Sequence, residues 1–459
     1  MIDIQIAGAG AGKTYGLAKI VLSRFNEIKP NNKIYALTYT NSAKAEIELE
    51  VSKQNNGFIP DNILIQTVHS FLLNEIIFPY SSFILKIPYK KSSRIYLGNN
   101  RGYAAKKIKD LKDAGEIHVD KVYLTAKQIL DKENSKNKTK KQKLKVDKVL
   151  SILNTCIDSI FIDEVQDLDK DGLVAFKALG CNGVSMYMTG DPKQAIKYPK
   201  AFTGFLDENK RDENINYLPI DNSTRRVPTE VLVQSNRFCY PGQEQINVER
   251  VKGSINYIES NCVEFSAFIK SHIQSNDSLV YIDKKNGNYR TNKNKRYSFP
   301  SVIEEKIRLS NHKRDDELIV KAAYSEFYDE ISLGYTKAIG NLLKKYDIPY
   351  DKTEYAQLCE LCKLVEAKPS QYLIKSIEAV KGLEAKTCIF ILTPNTYKYL
   401  IHEELNKTQI FNKEWKKLYV ALTRTKKKLI LVLDHELFPK HDIDVVKKKL
   451  EDISIDSYI

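Results

Sequence analysis

The chain has 459 residues, of which 42% are hydrophobic, so it is long enough for about two to four domains with packed cores. Its 72 basic and 58 acidic residues give a net charge of +14, which favours a polyanionic partner, although lysine-rich usage in an AT-rich genome gives the same balance. We find no run of about 18 apolar residues and no basic leader, so we expect a cytoplasmic protein with neither a membrane-spanning helix nor a signal peptide.

The first predicted element is a short strand that runs into a glycine-rich loop. Ile2, Ile4 and Ile6 alternate with polar residues, AGAGAGKT follows, and the next residues have helical spacing. Glycines let such a loop curl with its N–H groups towards phosphate, while a lysine reaches the β- and γ-phosphates and a threonine hydroxyl binds Mg²⁺. The strict phosphate-loop pattern has glycine at position 7, and the alternative is a chance glycine-rich turn. We predict a phosphate site, with Lys13 catalytic and Thr14 also a metal ligand, formed by Ala7, Gly8, Ala9, Gly10, Ala11, Gly12, Lys13 and Thr14.

Strands and helices alternate along most of the remaining chain, which is typical of parallel sheets covered by helices. A second α/β unit begins near Tyr217. Residues 72–150 differ, because they are charged and helical in spacing, and their lysine-rich run at 132–148 is either a solvated insert or an arm that follows a phosphate backbone. Further strands are predicted at Ile34–Thr38, Ile63–Gln66, Ile157–Ile162, Val184–Met188, Val280–Asp283, Asp329–Leu333, Cys388–Leu392 and Leu429–Leu433.

A pair of carboxylates follows one of these apolar strands, in the sequence IFIDEVQD at residues 160–167. Hydrolysis of a phosphoanhydride needs one carboxylate to hold Mg²⁺ and another to orient or deprotonate the attacking water. We predict that Asp163 holds the metal and that Glu164 is the base. The alternative is an acidic helix N-terminus, where a negative charge favours the helix dipole.

DEVQD together with AGAGAGKT resembles the superfamily-one DNA helicases of the UvrD/Rep/PcrA type. Other segments resemble that family in the same order along the chain: ALTYTNSAKAEI (36–47), QTVHSF (66–71), TGDPKQAI (189–196), TRRVPTEV (224–231), SIEAVKGLEAKTCIFIL (376–392) and LYVALTRTKKKLIL (418–431).

The resemblance implies roles for residues outside the phosphate loop. Gln194 would sense the γ-phosphate, Arg226 would contact phosphate, and Arg424 would be the arginine finger. Arg225 falls where the family stacks an aromatic ring on adenine, and no glutamine precedes the loop to read the base. The alternative is that the two adjacent arginines form surface salt bridges and that the rings only pack. Gly382 and Glu384 would also bind nucleotide, and the DNA-binding residues would be Tyr39, Thr40, Asn41, Thr67, His69 and Tyr198.

The same resemblance implies an α/β fold with two RecA-like P-loop NTPase domains, parallel sheets and reduced helical accessory insertions. The first domain would comprise residues 1–71 and 151–215, with an accessory insertion at 72–150. The second would span 216–445 with a reduced or absent second insertion, followed by a tail at 446–459.

The function implied is an ATP- and Mg²⁺-dependent translocase that moves 3′→5′ on single-stranded or partly duplex DNA and does not use a membrane. In its compact size the chain is similar to the helicase-like subunit of Gabija-type anti-phage systems, in which the partner is a nuclease of the overcoming-lysogenization-defect family. The alternative function is a nucleotide- or DNA-end-responsive regulatory subunit that partners such a nuclease without unwinding DNA.

Overall fold

The computed structural model of the chain describes residues 1–29, 31–95, 97, 101–132, 139–283, 289–291, 299–310, 316–331, 334–366, 372–401, 412–437 and 441–458. The strands are β1 (Ile2–Ile6), β2 (Lys33–Thr38), β3 (Ile63–Thr67), β4 (Lys91–Ser93), β5 (Glu116–His118), β6 (Ile157–Ile162), β7 (Ser185–Gly190), β8 (Ile215–Tyr217), β9 (Ser223–Thr224), β10 (Ile246–Asn247), β11 (Ser254–Glu259), β12 (Ser278–Ile282), β13 (Tyr289–Arg290), β14 (Tyr372–Leu373), β15 (Lys375–Ser376), β16 (Ala385–Leu392), β17 (Thr425–Leu433) and β18 (Asp456–Ser457).

The α-helices are α1 (Lys13–Phe25), α2 (Asn41–Gln54), α3 (Val68–Phe71), α4 (Phe78–Leu85), α5 (Arg101–Asp113), α6 (Val122–Leu130), α7 (Lys140–Cys156), α8 (Lys170–Cys181), α9 (Ala201–Glu208), α10 (Thr229–Ser235), α11 (Phe265–Gln274), α12 (Ser301–Leu309), α13 (Asp316–Glu330), α14 (Tyr335–Lys345), α15 (Lys352–Glu366), α16 (Ile377–Val380), α17 (Pro394–Leu400), α18 (Lys413–Leu422) and α19 (Ile443–Glu451).

The first sheet has six strands in the order β3-β2-β6-β7-β1-β8, and its paired strands run parallel. Both faces are covered by apolar cores, since Tyr35 and Leu37 of β2 join the core on one face while Ile34 and Ala36 join the core on the other. Parallel strands end at the same edge of a sheet, so the loops that follow β1, β6 and β7 lie together at one edge.

The predicted α/β fold with two parallel sheets is confirmed, and one predicted strand is wrong. Asp329–Leu333 does not form a strand, because residues 329–330 are the end of α13, while residues 332–333 lie outside the described residues. Ala323 and Phe327 of α13 and the following Ile331 are buried in one core and lie four residues apart, which is the spacing of one helix face.

The predicted boundary between the two halves at residue 216 falls within β8. β8 pairs with β1, with Tyr217 opposite Ile4, and a single bridge continues the pairing between Ala7 and Asp221. The first sheet therefore extends past the predicted boundary, and the segment that leads to the second sheet starts directly beside the phosphate loop.

Residues 72–150 share a core with the first sheet and are not a separate compact unit. Val122, Ala126 and Leu130 of α6 belong to the same cluster as the β6 residues Ile160 and Ile162. The lysine-rich run continues into the exposed first turns of α7, while residues 133–138 lie outside the described residues.

One helical run that leads into this region, Val68–Leu85, is long and apolar enough to cross a membrane by length and composition alone. This corrects the expectation that the chain has no such run. Phe71, Leu72, Ile76 and Ile77 of the run are fully buried in the core of the first sheet, and a helix buried in a core is apolar for that reason.

The second six-stranded sheet has the order β15-β12-β16-β17-β11-β18. The segment predicted as a tail at 446–459 contains most of α19 and the strand β18, which pairs with β11 through Asp456 and Ser457. Val446, Leu450 and Ile455 are buried, so the end of the chain completes this sheet.

The chain divides into two compact units, of which the first comprises Met1–Cys262, Asn276–Leu279 and Val380–Ile459, and the second Val263–Ser275 and Val280–Ala379. The second unit contains α12, α13, α14 and α15 around their own core, in which Ile303, Phe327, Leu342 and Leu358 are buried. These helices lie in the part of the chain where a reduced or absent second insertion was predicted. The predicted site residues all lie in the first unit.

Candidate active site

The glycine-rich loop connects β1 to α1, as predicted. Gly10 and Gly12 have φ of +75° and +82°, values that favour glycine. The Lys13 Nζ donates hydrogen bonds to the carbonyl oxygens of Ala7 at 3.3 Å and Gly8 at 3.1 Å. The lysine ammonium therefore lies within the curve of the loop, where a phosphate-binding lysine belongs.

Segments that follow the first sheet pack directly on this loop. A Cβ at Gly10 would lie 2.6 Å from the Arg226 Cβ, and the Arg225 N–H donates to the Gly10 carbonyl at 3.0 Å. The Gln245 Nε2 donates to the Ala9 carbonyl at 2.8 Å. A side chain at position 10 would force this packing apart, so glycine is needed there for close approach as well as for conformation.

The predicted carboxylate pair follows β6 at the same edge of the sheet. Asp163 is 4% exposed, and its Oδ1 accepts a hydrogen bond of 2.9 Å from the Glu164 N–H. Glu164 has φ of +57°, a left-handed conformation that costs a non-glycine residue about 1–3 kcal/mol. Strained backbone of this kind occurs at functional sites, which agrees with the role predicted for Glu164.

The electrostatics of the two carboxylates differ. Burial raises the pKa of Asp163, and the neighbouring Glu164 carboxylate raises it further. Burial acts in the same direction on Glu164, but the cations of Lys381 and Lys13 outweigh it, so the pKa of Glu164 is lowered. Glu164 is therefore ionised near neutral pH and can accept a proton or a hydrogen bond.

Asp163 and Thr14 fit a divalent cation. The Thr14 Oγ1 lies 3.5 Å from the Asp163 Oδ2, so two oxygen donors of the kind that Mg²⁺ prefers are adjacent. A cation beside Asp163 would offset the cost of burying its charge, which is the cost that raises its pKa.

The predicted γ-phosphate sensor and the predicted arginine finger meet. The Arg424 Nη2 donates to the Gln194 Oε1 at 3.2 Å, and the Gln194 Nε2 donates to the Asp191 Oδ2 at 3.0 Å. These three residues are at most 2% exposed. Asp191 also pairs with Lys193 at 3.2 Å, and although burial opposes ionisation, the Lys193 charge outweighs it and lowers the pKa of Asp191.

Sequence reasoning matched Lys381 to a family segment without giving it a role, and the structure places it against the carboxylates. Its Nζ donates to both oxygens of Asp167 at 2.6 Å and lies 3.6 Å from the Glu164 Oε2. The Gln166 Nε2 donates to the same Glu164 oxygen. The last residue of DEVQD, Asp167, was the available signal, since a buried carboxylate needs a cation.

The remaining predicted nucleotide residues are brought together only in part. Arg226 pairs with Glu384 at 2.5 Å, and Lys426 also pairs with Glu384, so Glu384 holds the arginine. Arg225 is half-exposed and lies 3.6 Å from Glu249. Gly382 is exposed in the turn before Glu384, with φ of +81°.

Three of the predicted DNA-binding residues gather at the same edge of the first sheet. The rings of Tyr39 and His69 are 6.2 Å apart, and Lys197 lies 5.0 Å from the Tyr39 ring and 5.1 Å from the Tyr198 ring. The His69 ring is 4.9 Å from Tyr123. Burial, reinforced by the Lys197 charge, lowers the pKa of His69. We call Tyr39, His69, Tyr123, Lys197 and Tyr198 the aromatic cluster, in which sequence reasoning missed Tyr123 and Lys197.

Two of the other three predicted DNA-binding residues cap helices. The Thr40 Oγ1 accepts from the Ala43 N–H at 3.1 Å and caps α2, which begins at Asn41. The Thr67 Oγ1 accepts from the Ser70 N–H at 3.2 Å and caps α3. Asn41 is exposed.

Two comparisons with known proteins agree with the motifs. Residues 2–200 match the family model described as an AAA domain. The chain is 24% identical to the Gabija protein GajB of Bacillus cereus (strain VD045), over 97% of this chain and 95% of that protein. A solved arterivirus nonstructural protein 10 (helicase) in complex with DNA aligns with 98% of this chain at 10% identity and a TM-score of 0.36, and the chain spans 62% of its length. The match to the AAA-domain model and the likeness to GajB confirm the resemblance drawn from the motifs, to UvrD-like superfamily-one helicases and to the compact Gabija-type form.

Proposed function

We propose that this chain, a UvrD-like helicase-type protein that resembles GajB over nearly its whole length, hydrolyses ATP and couples the hydrolysis to movement along single-stranded DNA. The observation that carries the proposal is the contact of Arg424 with Gln194 at 3.2 Å. Arg424 directly precedes β17 of the second sheet, and Gln194 lies in the loop that follows β7 of the first. A closing movement of the two sheets would therefore involve the same two side chains as the phosphate chemistry.

Each charged residue has a definite task in this proposal. Lys13 binds the phosphates, while Arg226 and Arg424 offset the negative charge that develops on the transferred phosphoryl group. Glu164 orients the attacking water and accepts its proton, and Lys381 holds Glu164 in place. When bound by Thr14 and Asp163, Mg²⁺ would supply the charge that neutralises phosphate oxygens.

DNA would bind at the aromatic cluster. Rings that lie partly open at the edge of the sheet can stack on bases, and stacking tolerates any base sequence. Lys197 adds a positive charge beside two of these rings, which suits a phosphate backbone. The direction of movement implied by the motifs is 3′→5′.

The test is steady-state ATPase activity of the purified chain with and without single-stranded DNA, beside Lys13→Ala. We expect strong stimulation in the wild-type chain and no turnover in the variant with its fold intact. Turnover that DNA leaves unchanged would refute the coupling, and turnover in Lys13→Ala would refute the phosphate-loop assignment.

A second candidate function is supported by the likeness to a Gabija protein and by Arg225 at the position where an aromatic ring is expected. In this alternative the chain is a nucleotide- or DNA-end-responsive subunit of an anti-phage complex, and its partner is a nuclease of the overcoming-lysogenization-defect family. Strand separation by the isolated chain would exclude it. Normal hydrolysis without strand separation, together with nuclease activity that depends on this chain, would favour it.

A further inference from the structure

Lys416 is a buried lysine on α18 that the chemistry above does not use. It is 2% exposed. Its Nζ donates hydrogen bonds to the carbonyl oxygens of Pro192 at 2.7 Å and Pro199 at 2.9 Å and to the Tyr240 hydroxyl at 3.0 Å. All three acceptors are uncharged, and burying a cation without a directly bonded carboxylate is costly. Burial lowers the pKa of Lys416 to about 7, because burial disfavours the charged form of this lysine.

Two of the three acceptors bracket a single loop. Residues 192–199 follow β7 and contain Gln194, which contacts Arg424, near one end. Lys197, which donates to the Tyr39 hydroxyl, lies near the other end. Because Lys416 is bonded to the carbonyl groups of Pro192 and Pro199, it ties the two ends of the loop to one point on α18.

Lys416 lies on α18, and Arg424 follows two residues after the helix ends at Leu422. The Arg424 Nε donates to the Val420 carbonyl at 3.0 Å within the last turn of α18. Lys416 lies about 9 Å along the helix from its end at Leu422. The loop is therefore bonded near two separated points of α18, to Lys416 directly and, through Gln194, to Arg424 at the end of the helix. If the loop moves at Lys197 and Tyr198, Gln194 must either shift relative to α18 or move together with α18.

We propose that Lys416 is a positioning residue that couples the aromatic cluster to the Gln194–Arg424 pair, so that DNA bound at the cluster accelerates hydrolysis. The proposal rests on the proposed function, in which DNA stimulates the ATPase. It assigns Lys416 no contact with nucleotide or DNA. Its loss should therefore change the communication between the two sites more than the affinity of either.

The experiment compares ATPase rates with and without a single-stranded oligonucleotide in the wild type, Lys416→Met and Lys417→Met, together with KM for ATP and Kd for the oligonucleotide. Methionine keeps an unbranched chain of similar length. Lys417 is a matched control, because it is 4% exposed on the same helix and pairs with Glu414 of that helix at 3.0 Å. We expect the ratio of stimulated to basal rate to fall about tenfold in Lys416→Met, within the usual range of coupling between sites, and to stay near the wild-type ratio in Lys417→Met.

The possible outcomes distinguish the proposed function from the coupling role of Lys416. A wild type that DNA does not stimulate would refute the proposed function and the coupling role with it. A stimulated wild type with an equal ratio in Lys416→Met, or an equal loss in Lys417→Met, would refute the coupling role alone. A loss that appears wholly as a raised KM or Kd would refute it as well. If Lys416→Met does not fold, Tyr240→Phe removes one acceptor and keeps the ring, and an unchanged ratio in that variant would overturn the proposal.

Discussion

The nucleotide side and the aromatic cluster of the first unit are built in opposite ways. On the nucleotide side, Asp191, Gln194 and Arg424 are at most 2% exposed and are bonded to one another. In the aromatic cluster, Lys197 is exposed and the Tyr39 and Tyr198 rings are partly open. A buried polar group that loses its hydrogen-bond partner cannot bond to water instead, whereas a ring at the surface contributes to DNA binding independently of its neighbours. We therefore expect substitutions on the nucleotide side to cause large losses of kcat, and substitutions in the aromatic cluster to cause smaller losses of DNA affinity.

The largest effect is expected for Arg424→Ala. Removing an arginine finger lowers kcat by about 10³–10⁵-fold, and here it also leaves Gln194 without its donor. The control is Arg24→Ala, since Arg24 pairs with Asp158 and Glu27 outside the site with its side chain 37% exposed, and we expect kcat near the wild-type value. Single-turnover ATP hydrolysis measures both variants. A loss in Arg424→Ala that is no greater than in the control would place the finger elsewhere.

Glu164→Gln tests the role of Glu164 as the base on the nucleotide side. The amide keeps the size of the side chain but cannot accept a proton, so we expect kcat to fall by about 10²–10⁴-fold while nucleotide still binds. Binding is measured by titration with a fluorescent ATP analogue and turnover by phosphate release. Loss of nucleotide binding would show that Glu164 is not the base.

Tyr39→Ala tests the aromatic cluster. Removing one stacking ring should weaken binding of single-stranded DNA by about 1–3 kcal/mol, measured by fluorescence anisotropy with a labelled oligonucleotide. Tyr350→Ala removes a tyrosine that is 56% exposed in the second unit and serves as the control. Equal Kd values for the two variants would remove the aromatic cluster from the DNA-binding surface.

The smallest effect concerns stability and pH. The pKa of Lys416 is about 7 in the folded chain and about 10.4 in an unfolded chain, so the unfolded chain binds one more proton between these values. The contribution of Lys416 to stability therefore rises as pH increases from about 7 to 10. Lys416→Met lacks this dependence, so its Tm relative to wild type should be higher at about pH 6.5 than at about pH 9.5, by about 1 °C for each kcal/mol in a chain of this length. A difference in Tm that does not change with pH would contradict the assignment.

The sequence predicts those parts of the fold that depend on local pattern. The β1 strand, the glycine-rich loop and α1 follow from alternation, glycine and helical spacing within 25 residues of chain. Asp163 and Glu164 follow from an apolar strand that ends in acids. The same reasoning fails for Asp329–Leu333, because a short apolar alternation does not distinguish a strand from the buried face of α13.

Contacts between distant segments could not be predicted in this way. Lys381 is 214 residues from Asp167, and Lys416 is 224 residues from Pro192, so their partners depend on which strand ends share an edge of a sheet. The pairing of Glu384 with Arg226 is of the same kind. A motif indicates that a residue belongs to a site, but only the topology shows which neighbour it holds.

The measurement that tests the central claim most directly is displacement of streptavidin from single-stranded oligonucleotides that carry biotin at the 3′ or the 5′ end. A translocase that moves 3′→5′ should, with ATP, displace streptavidin from the 5′ end only, and Lys13→Ala should displace none. No displacement from either end by a wild-type chain whose ATPase is stimulated by DNA would contradict the account and would leave the non-unwinding regulatory subunit as the better description.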